Sequence, residues 1–377
     1  MNNALSHNAE PRLLLQRLHA AAKHVKGRLA FMEVCGTHTT SAFRCGLHSV
    51  LPANVRLISG PGCPVCVTSQ ADIDQLVGLA RRDDVVLCTY GDMLRVPGQH
   101  SSLEKIRGQG GRIEVVYSSL DAVALAQREP HRRIVFAAVG FETTAPATAV
   151  AIRRAEELRL KNFSALASHK TIIPALRALL EDRGHLKING FLCPGHVSVV
   201  IGSDAYVPIV QEYGIACVIG GFEPTLLLEA LACLTELAAE GKAALVNQYP
   251  QAVSSRGNGR AQALLTQVFE PADARWRGMG VIAGSGLRIR KEYERFDAQK
   301  VFALPVLQDC EPKGCLCGQV ISGQIDPPRC SLFARACTPV NPIGPCMVSS
   351  EGTCAAWFKY GQKRMVPDGR QTQESFL

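Results

Sequence analysis

Through the first two-thirds of the chain, short β-rich runs alternate with amphipathic helical stretches. A chain patterned this way buries its strands in parallel sheets covered by helices. Strand candidates are Leu29–Val34, Val55–Ile58, Val85–Thr89, Glu114–Tyr117, Ile134–Val139, Phe163–Ala167 and Ile215–Ile219. Helices are predicted over Ile73–Arg82, Ala145–Leu160 and Pro174–Arg183. Such folds place ligands in the glycine-rich turns at the C-terminal ends of their strands. With 377 residues, the chain is too long for one ordinary domain.

A weak internal repeat refines the α/β reading. "RLAFMEVCGTHTTSA" (28–42) resembles "RIVFAAVGFETTAPA" (133–147), "PGCPV" (61–65) echoes "PGHVS" (194–198), and "GFETT" returns as "GFEPT" at 221–225. The expectation is two related, Rossmann-like parallel-sheet lobes facing one another across a cleft, the first over 50–128 and the second over 129–240. Beyond about Leu245 the texture changes. Residues 247–298 read as a loop-rich region interrupted by short helices, and 305–360 hold many Pro, Gly and Cys residues with little hydrophobic periodicity. A third unit, 241–377, is therefore predicted, packed with the segment 1–49, and its last dozen residues read as a frayed tail.

Composition narrows the function classes. No apolar run reaches 18 residues, so no membrane span is predicted, and the first 30 residues lack a signal-peptide core. Leu13–Leu18 instead reads as part of an amphipathic helix, and the expected location is the cytoplasm. Net charge is +8, from 41 basic and 33 acidic residues. Part of that excess sits in "ARWRGMGVIAGSGLRIRKEYERF" (274–296), read as a solvated basic face because aromatics are few and no nucleic-acid motif accompanies it.

Fifteen cysteines are many for a chain of this kind, and seven of them crowd into residues 310–354. A long chain without an export signal is no disulfide scaffold, so metal binding or thiol chemistry is the better explanation. A segment so poor in apolar periodicity needs a bound metal or cluster to order it. Cys310-x4-Cys315 and Cys315-x-Cys317 are neither zinc-ribbon knuckles nor ferredoxin spacing. Thiolates on loops suit a [4Fe–4S] cluster; zinc and unligated thiols stay open.

Two further constellations carry chemistry. Cys35 and His38 sit in a glycine turn at the end of an apolar strand, close enough for the imidazole to take the thiol proton or hold a ligand. Cys63-Pro64-Val65-Cys66 has redox spacing, since thiols one helical turn apart can close a disulfide. The same pair could pinch a metal or simply be buried. Cys45, Cys88, Cys217 and Cys233 read as core cysteines, and Cys193 as a packing residue.

The motifs "CGTHT", "GPGCPVCVT", "GFETTAP", "CPGHVSV" and "MVSSEGTCAA", spread over nearly the whole chain, resemble the HypD family of hydrogenase maturation proteins. The family's C-x14-C-x6-C-x16-C signature falls on Cys315, Cys330, Cys337 and Cys354. The resemblance implies that these four ligate a [4Fe–4S] cluster and that Cys310, Cys317 and Cys346 are ordinary cysteines. It implies a scaffold rather than an enzyme. With HypC, that scaffold carries an iron centre acquiring two cyanides and one CO, with HypE as cyanide donor. The finished Fe(CN)2CO unit goes to the large subunit of a [NiFe] hydrogenase. Cys35 would then be the iron ligand, and Cys63 and Cys66 would store electrons or bind iron. His38, Glu142, His196 and Glu351, all within matching motifs, would hydrogen-bond cyanide or move protons. Two alternatives remain from other classes, an iron–sulfur lyase of quinolinate-synthase type and a thiol–disulfide oxidoreductase.

Overall fold

The computed structural model describes residues 10–181 and 187–361. In it β1 (Leu29–Glu33) pairs in parallel with β2 (Val55–Ser59), placing Glu33 opposite Ser59 so that both strands end at the same edge. β3 (Val85–Thr89), β4 (Ile113–Val115), β5 (Arg133–Gly140) and β6 (Phe163–His169) form a second parallel sheet in the order β4-β3-β5-β6. The chain then returns to the first sheet. β7 (Gly190–Pro194), β8 (Ala216–Gly220) and β9 (Leu245–Asn247) complete it in the order β2-β1-β7-β8-β9.

Two parallel α/β lobes are thus present, but their strands do not follow the expected 50–128 and 129–240 division. β1 and β2 join β7, β8 and β9, whereas β5 and β6 join β3 and β4. A buried parallel strand carries the same apolar pattern whichever sheet it enters, and helical crossovers are long enough to reach either. The strands β7 and β9 escape a reading of hydrophobic runs for simpler reasons. The first is a five-residue "GFLCP" bounded by Gly and Pro, and the second has three residues.

Side-chain alternation along the strands shows how the lobes meet. Met32, Val85, Leu87, Val135, Ala137, Phe191, Cys193, Cys217 and Ile219 enter one core that also contains Cys63, Cys66 and Cys317. Their neighbours point to the other faces. Val86, Cys88, Ile134 and Phe136 pack on one outer helical layer, and Phe31, Leu192 and Val218 on the other. The two inner faces and the cysteine-rich segment therefore share a single apolar interior. Cys45, expected in a core, is exposed.

The region 247–298 is less irregular than its Asn, Gly and Arg content suggests. β10 (Phe269–Trp276) and β11 (Gly280–Ile289) form an antiparallel hairpin whose tip, Arg277-Gly278-Met279, buries the Arg277 side chain and sets Gly278 against the Gly318 backbone. The expected solvated basic face accordingly includes a completely buried guanidinium, Arg277. The hairpin's flank, β6 and the segment around Asp72 line a cavity of about 670 Å³.

The N-terminal segment divides between two neighbours. Helix Pro11–Lys23 packs on helix Pro224–Ala239, with Arg17 gripping Glu236 at 2.9 and 2.8 Å. Helix Gly36–Arg44 packs mainly on helix Thr353–Tyr360 of the cysteine-rich segment and also touches helix Pro224–Ala239. Of the segment 1–49, β1 lies in the five-stranded sheet, and helix Gly36–Arg44 is the part that meets the cysteine-rich segment. No helix among the described residues is long and apolar enough to cross a membrane. Arg183 and the tail read as frayed lie outside the described residues.

Candidate functional site

Because β1 and β2 run parallel and end in register, their following turns are neighbours. Cys35 caps the start of helix Gly36–Arg44, and Cys63 caps the short helix Pro64–Val67. The Gly36 N–H donates to the Gly62 carbonyl at 3.2 Å, and a Cβ at Gly62 would collide with the Cys35 backbone. A glycine is required at position 62 because nothing larger lets the two turns touch. Cys63 and Cys66 are joined by a disulfide, with Cα atoms 5.3 Å apart. Glu351 reaches over from the cysteine-rich segment: its Oε1 accepts from the Thr37 hydroxyl at 2.7 Å, and its Cβ fills the space a side chain at Gly36 would need.

Electrostatics around Cys35 favour a protonated thiol. Burial pushes its pKa up to about 12, and the carboxyls of Glu351 and Glu33 push the same way, against the His38 backbone N–H. Glu33 is the residue sequence reasoning missed. It is buried, its Oε2 accepts from the Cys35 N–H at 3.4 Å, and its Oε1 accepts from the Thr39 hydroxyl. Burial raises its pKa to about 8 despite the bonds to Thr39 and Ser59, so it is largely protonated at neutral pH. A glutamate at the end of an apolar strand was the available signal.

His38 is placed differently from a base for Cys35. Its Nε2 donates to the Gly221 carbonyl at 3.0 Å, its ring lies 4.8 Å from that of Phe222, and only its backbone N–H serves Cys35. That bond fixes the tautomer and leaves Nδ1 buried without a partner. Burial lowers its pKa to about 4, so the ring is neutral. His196, after β7, also stacks on Phe222, with ring centroids 3.8 Å apart. Loss of solvent lowers its pKa, partly opposed by Glu351. Glu142 belongs to the other lobe. It follows β5, its Oε1 accepts from the Ile172 N–H at 2.8 Å, and its Oε2 has no partner. No hydrogen bond joins Glu142 to Cys35, His38, Cys63 or Cys66.

The cysteine-rich segment builds the third side. One small cavity is lined by Cys315, Cys317, Cys330, Cys337, Cys346 and Cys354, closed by Leu316, Phe333 and Met347. Neighbouring thiols pair from Cys315 to Cys317, Cys317 to Cys346 and Cys346 to Cys354. Cys317 and Cys346, which the signature passes over, are therefore inside the cavity, while Cys310 is exposed. Among the described residues no three His, Cys, Asp or Glu side chains converge as they would on a single ion. Six soft donors around one apolar pocket, with no oxygen or imidazole ligand, fit a multi-iron cluster. The helices Cys317–Ile321 and Pro345–Val348 both touch helix Pro64–Val67, so the disulfide adjoins this cavity.

The family model described as the hydrogenase formation hypA family, HypD, matches residues 10–361. This chain belongs to the HypD family. It is 48% identical to the hydrogenase maturation factor HypD of Azotobacter vinelandii over 364 residues, covering 95% of this chain and 96% of that one. It is 42% identical to HypD of Escherichia coli K12 over 93% of this chain and 95% of the relative. For HypD of Cupriavidus necator H16 the identity is 44%, over 94% and 96%. The HypD match runs through both lobes and the cysteine-rich segment, so every residue discussed above lies inside it.

Proposed function

We propose that this hydrogenase maturation factor is, with HypC, the scaffold on which the Fe(CN)2CO unit is built before delivery to the [NiFe] hydrogenase large subunit. HypE supplies the cyanide, and the work takes place in the cytoplasm. The observation that carries the reading is the position of the Cys63–Cys66 disulfide. Gly62 rests on the Cys35 backbone on one side, and helix Pro64–Val67 meets two cysteine-bearing helices on the other.

In this reading Cys35 holds the iron cargo. A cation as soft as low-spin iron(II) displaces the thiol proton, which passes to the Glu351 carboxylate close by, while Glu33, already protonated at neutral pH, can only relay it. The stacked His196 offers an imidazole to cyanide nitrogens, whereas the one N–H of the neutral His38 ring is already given to Gly221, so His38 serves to hold the turn. Glu142 is the proton-handling group on the facing lobe. Cys63 and Cys66 take up two electrons and two protons on reduction to the dithiol, or ligate iron in that state. Cys315, Cys330, Cys337 and Cys354 would hold a [4Fe–4S] cluster, which supplies single electrons. The disulfide lies between the place of demand and the place of supply.

Infrared absorption of the complex with HypC tests the assignment, read for cyanide and CO stretches in wild type, Cys35→Ala and Cys35→Ser at matched cluster content. Both variants should lose the bands, because alanine removes the ligand and serine replaces it with a harder one. Undiminished bands in Cys35→Ala would falsify Cys35 as the anchor and move it to Cys63 or Cys66.

A further inference from the structure

Arg277 is a fully buried cation. Its backbone N–H donates to the Val67 carbonyl at 2.9 Å, its Nε to the Thr68 carbonyl at 3.1 Å, and its Nη1 to Gln70 Oε1 at 3.2 Å. Nη2 is buried with no partner, and no carboxylate pairs with Arg277 among the described residues. A guanidinium cannot shed its proton, so the charge remains, and an unpaired buried charge costs several kcal/mol or more. The bonds to Thr68 and Gln70 do not explain it, since a neutral donor would make them more cheaply. Something anionic nearby must balance it.

The hairpin tip fixes what that is. Gly278, with φ +73°, lies on the backbone of Gly318, so a Cβ there would collide with the Gly318 Cα. Gly318 follows Cys317, a residue of the cavity wall, and Arg277 is therefore held behind that wall, on the side that also carries the disulfide helix.

We propose that Arg277 is the fixed counter-charge of the cysteine-lined cavity and raises the reduction potential of the cluster bound there. The proposal rests on the cluster reading above. A cluster with four thiolates is already anionic, and one-electron reduction adds a further negative charge. A buried cation stabilises the reduced form more than the oxidised form, with little screening by solvent. Arg277 would so make the cluster easier to charge from an external donor.

The test is anaerobic reconstitution of the full chain with iron and sulfide, followed by potentiometric titration of the visible absorption. Wild type, R277K, R277M and Q70E are compared. Q70E places a carboxylate against Nη1 and neutralises the guanidinium without removing it. R277M and Q70E should hold as much iron and sulfide as wild type yet titrate at more negative potential, with R277K close to wild type. An unchanged potential in either R277M or Q70E, whichever retains its cluster, overturns the proposal and leaves the cluster reading intact. Loss of the cluster from all three variants assigns Arg277 a purely structural role and equally overturns it. A wild-type chain that takes up no iron and sulfide sinks the cluster reading, and the counter-charge with it.

Discussion

Burial raises the Glu142 carboxyl from its ordinary 4.5 to about 7, the bond from Ile172 only partly compensating. Between those values the folded chain holds a proton that the unfolded chain has released. The stability this group contributes is present below pH 4.5 and lost as pH rises through about 7. Glu142→Gln keeps the acceptor for Ile172 and cannot ionise. Relative to wild type, the variant should gain on the order of 1–3 kcal/mol between pH 5 and pH 8. Urea denaturation at the two pH values measures it, and a gap that stays constant contradicts the titration. The six thiols of the cavity raise a separate question at this scale, because burial alone does not choose four of them. Cys315→Ala, Cys330→Ala, Cys337→Ala and Cys354→Ala should lose the reconstituted cluster's visible absorption, while Cys317→Ala and Cys346→Ala retain it. Retention in Cys354→Ala together with loss in Cys346→Ala would reassign that ligand.

The hairpin of β10 and β11 is an element whose importance lies in its tip. Gly278 and Gly280 share a φ of +73°, but only Gly278 is pressed against another backbone; nothing lies within 4 Å of a Cβ at Gly280. Gly280→Ala should cost roughly 1–2 kcal/mol, the left-handed backbone penalty alone. Gly278→Ala adds a clash that cannot relax without withdrawing the tip, for a further 1–3 kcal/mol or so. Denaturation midpoints of the two variants give the difference directly. Equal losses would mean that the tip is not seated as described. The same withdrawal would take Arg277 away from the cavity, so Gly278→Ala should also shift the cluster's potential downward.

At the scale of the molecule, the chain enters the five-stranded sheet, leaves for the four-stranded one and comes back. A fragment spanning 129–240 would hold two strands of each sheet and complete neither. Expressed alone it should show no cooperative thermal transition by circular dichroism, despite its length. A sharp transition would show that β5 to β8 form an autonomous unit. The shared interior makes the same point energetically: inner-face residues of both lobes and the cysteine-rich segment contact one another, so unfolding one strips cover from the others.

Local pattern determined much of this protein. Short continuous apolar runs such as Val85–Thr89 and Ile134–Val139, buried throughout, marked strands, and glycine turns marked their C-terminal ends as the place for Cys35, His38, Cys63 and His196. These signals need only a residue and its near neighbours. Tertiary structure alone decided which sheet each strand joins, because an apolar parallel strand is indifferent to its partner. It also decided that Glu351 sits on Gly36, 315 positions away, and that His38 turns to Gly221. Cys317, Cys346 and Arg277 acquire their meaning the same way. Nothing in a solvent-like basic stretch announces a buried charge, since burial is a property of what packs against a side chain and not of the side chain itself.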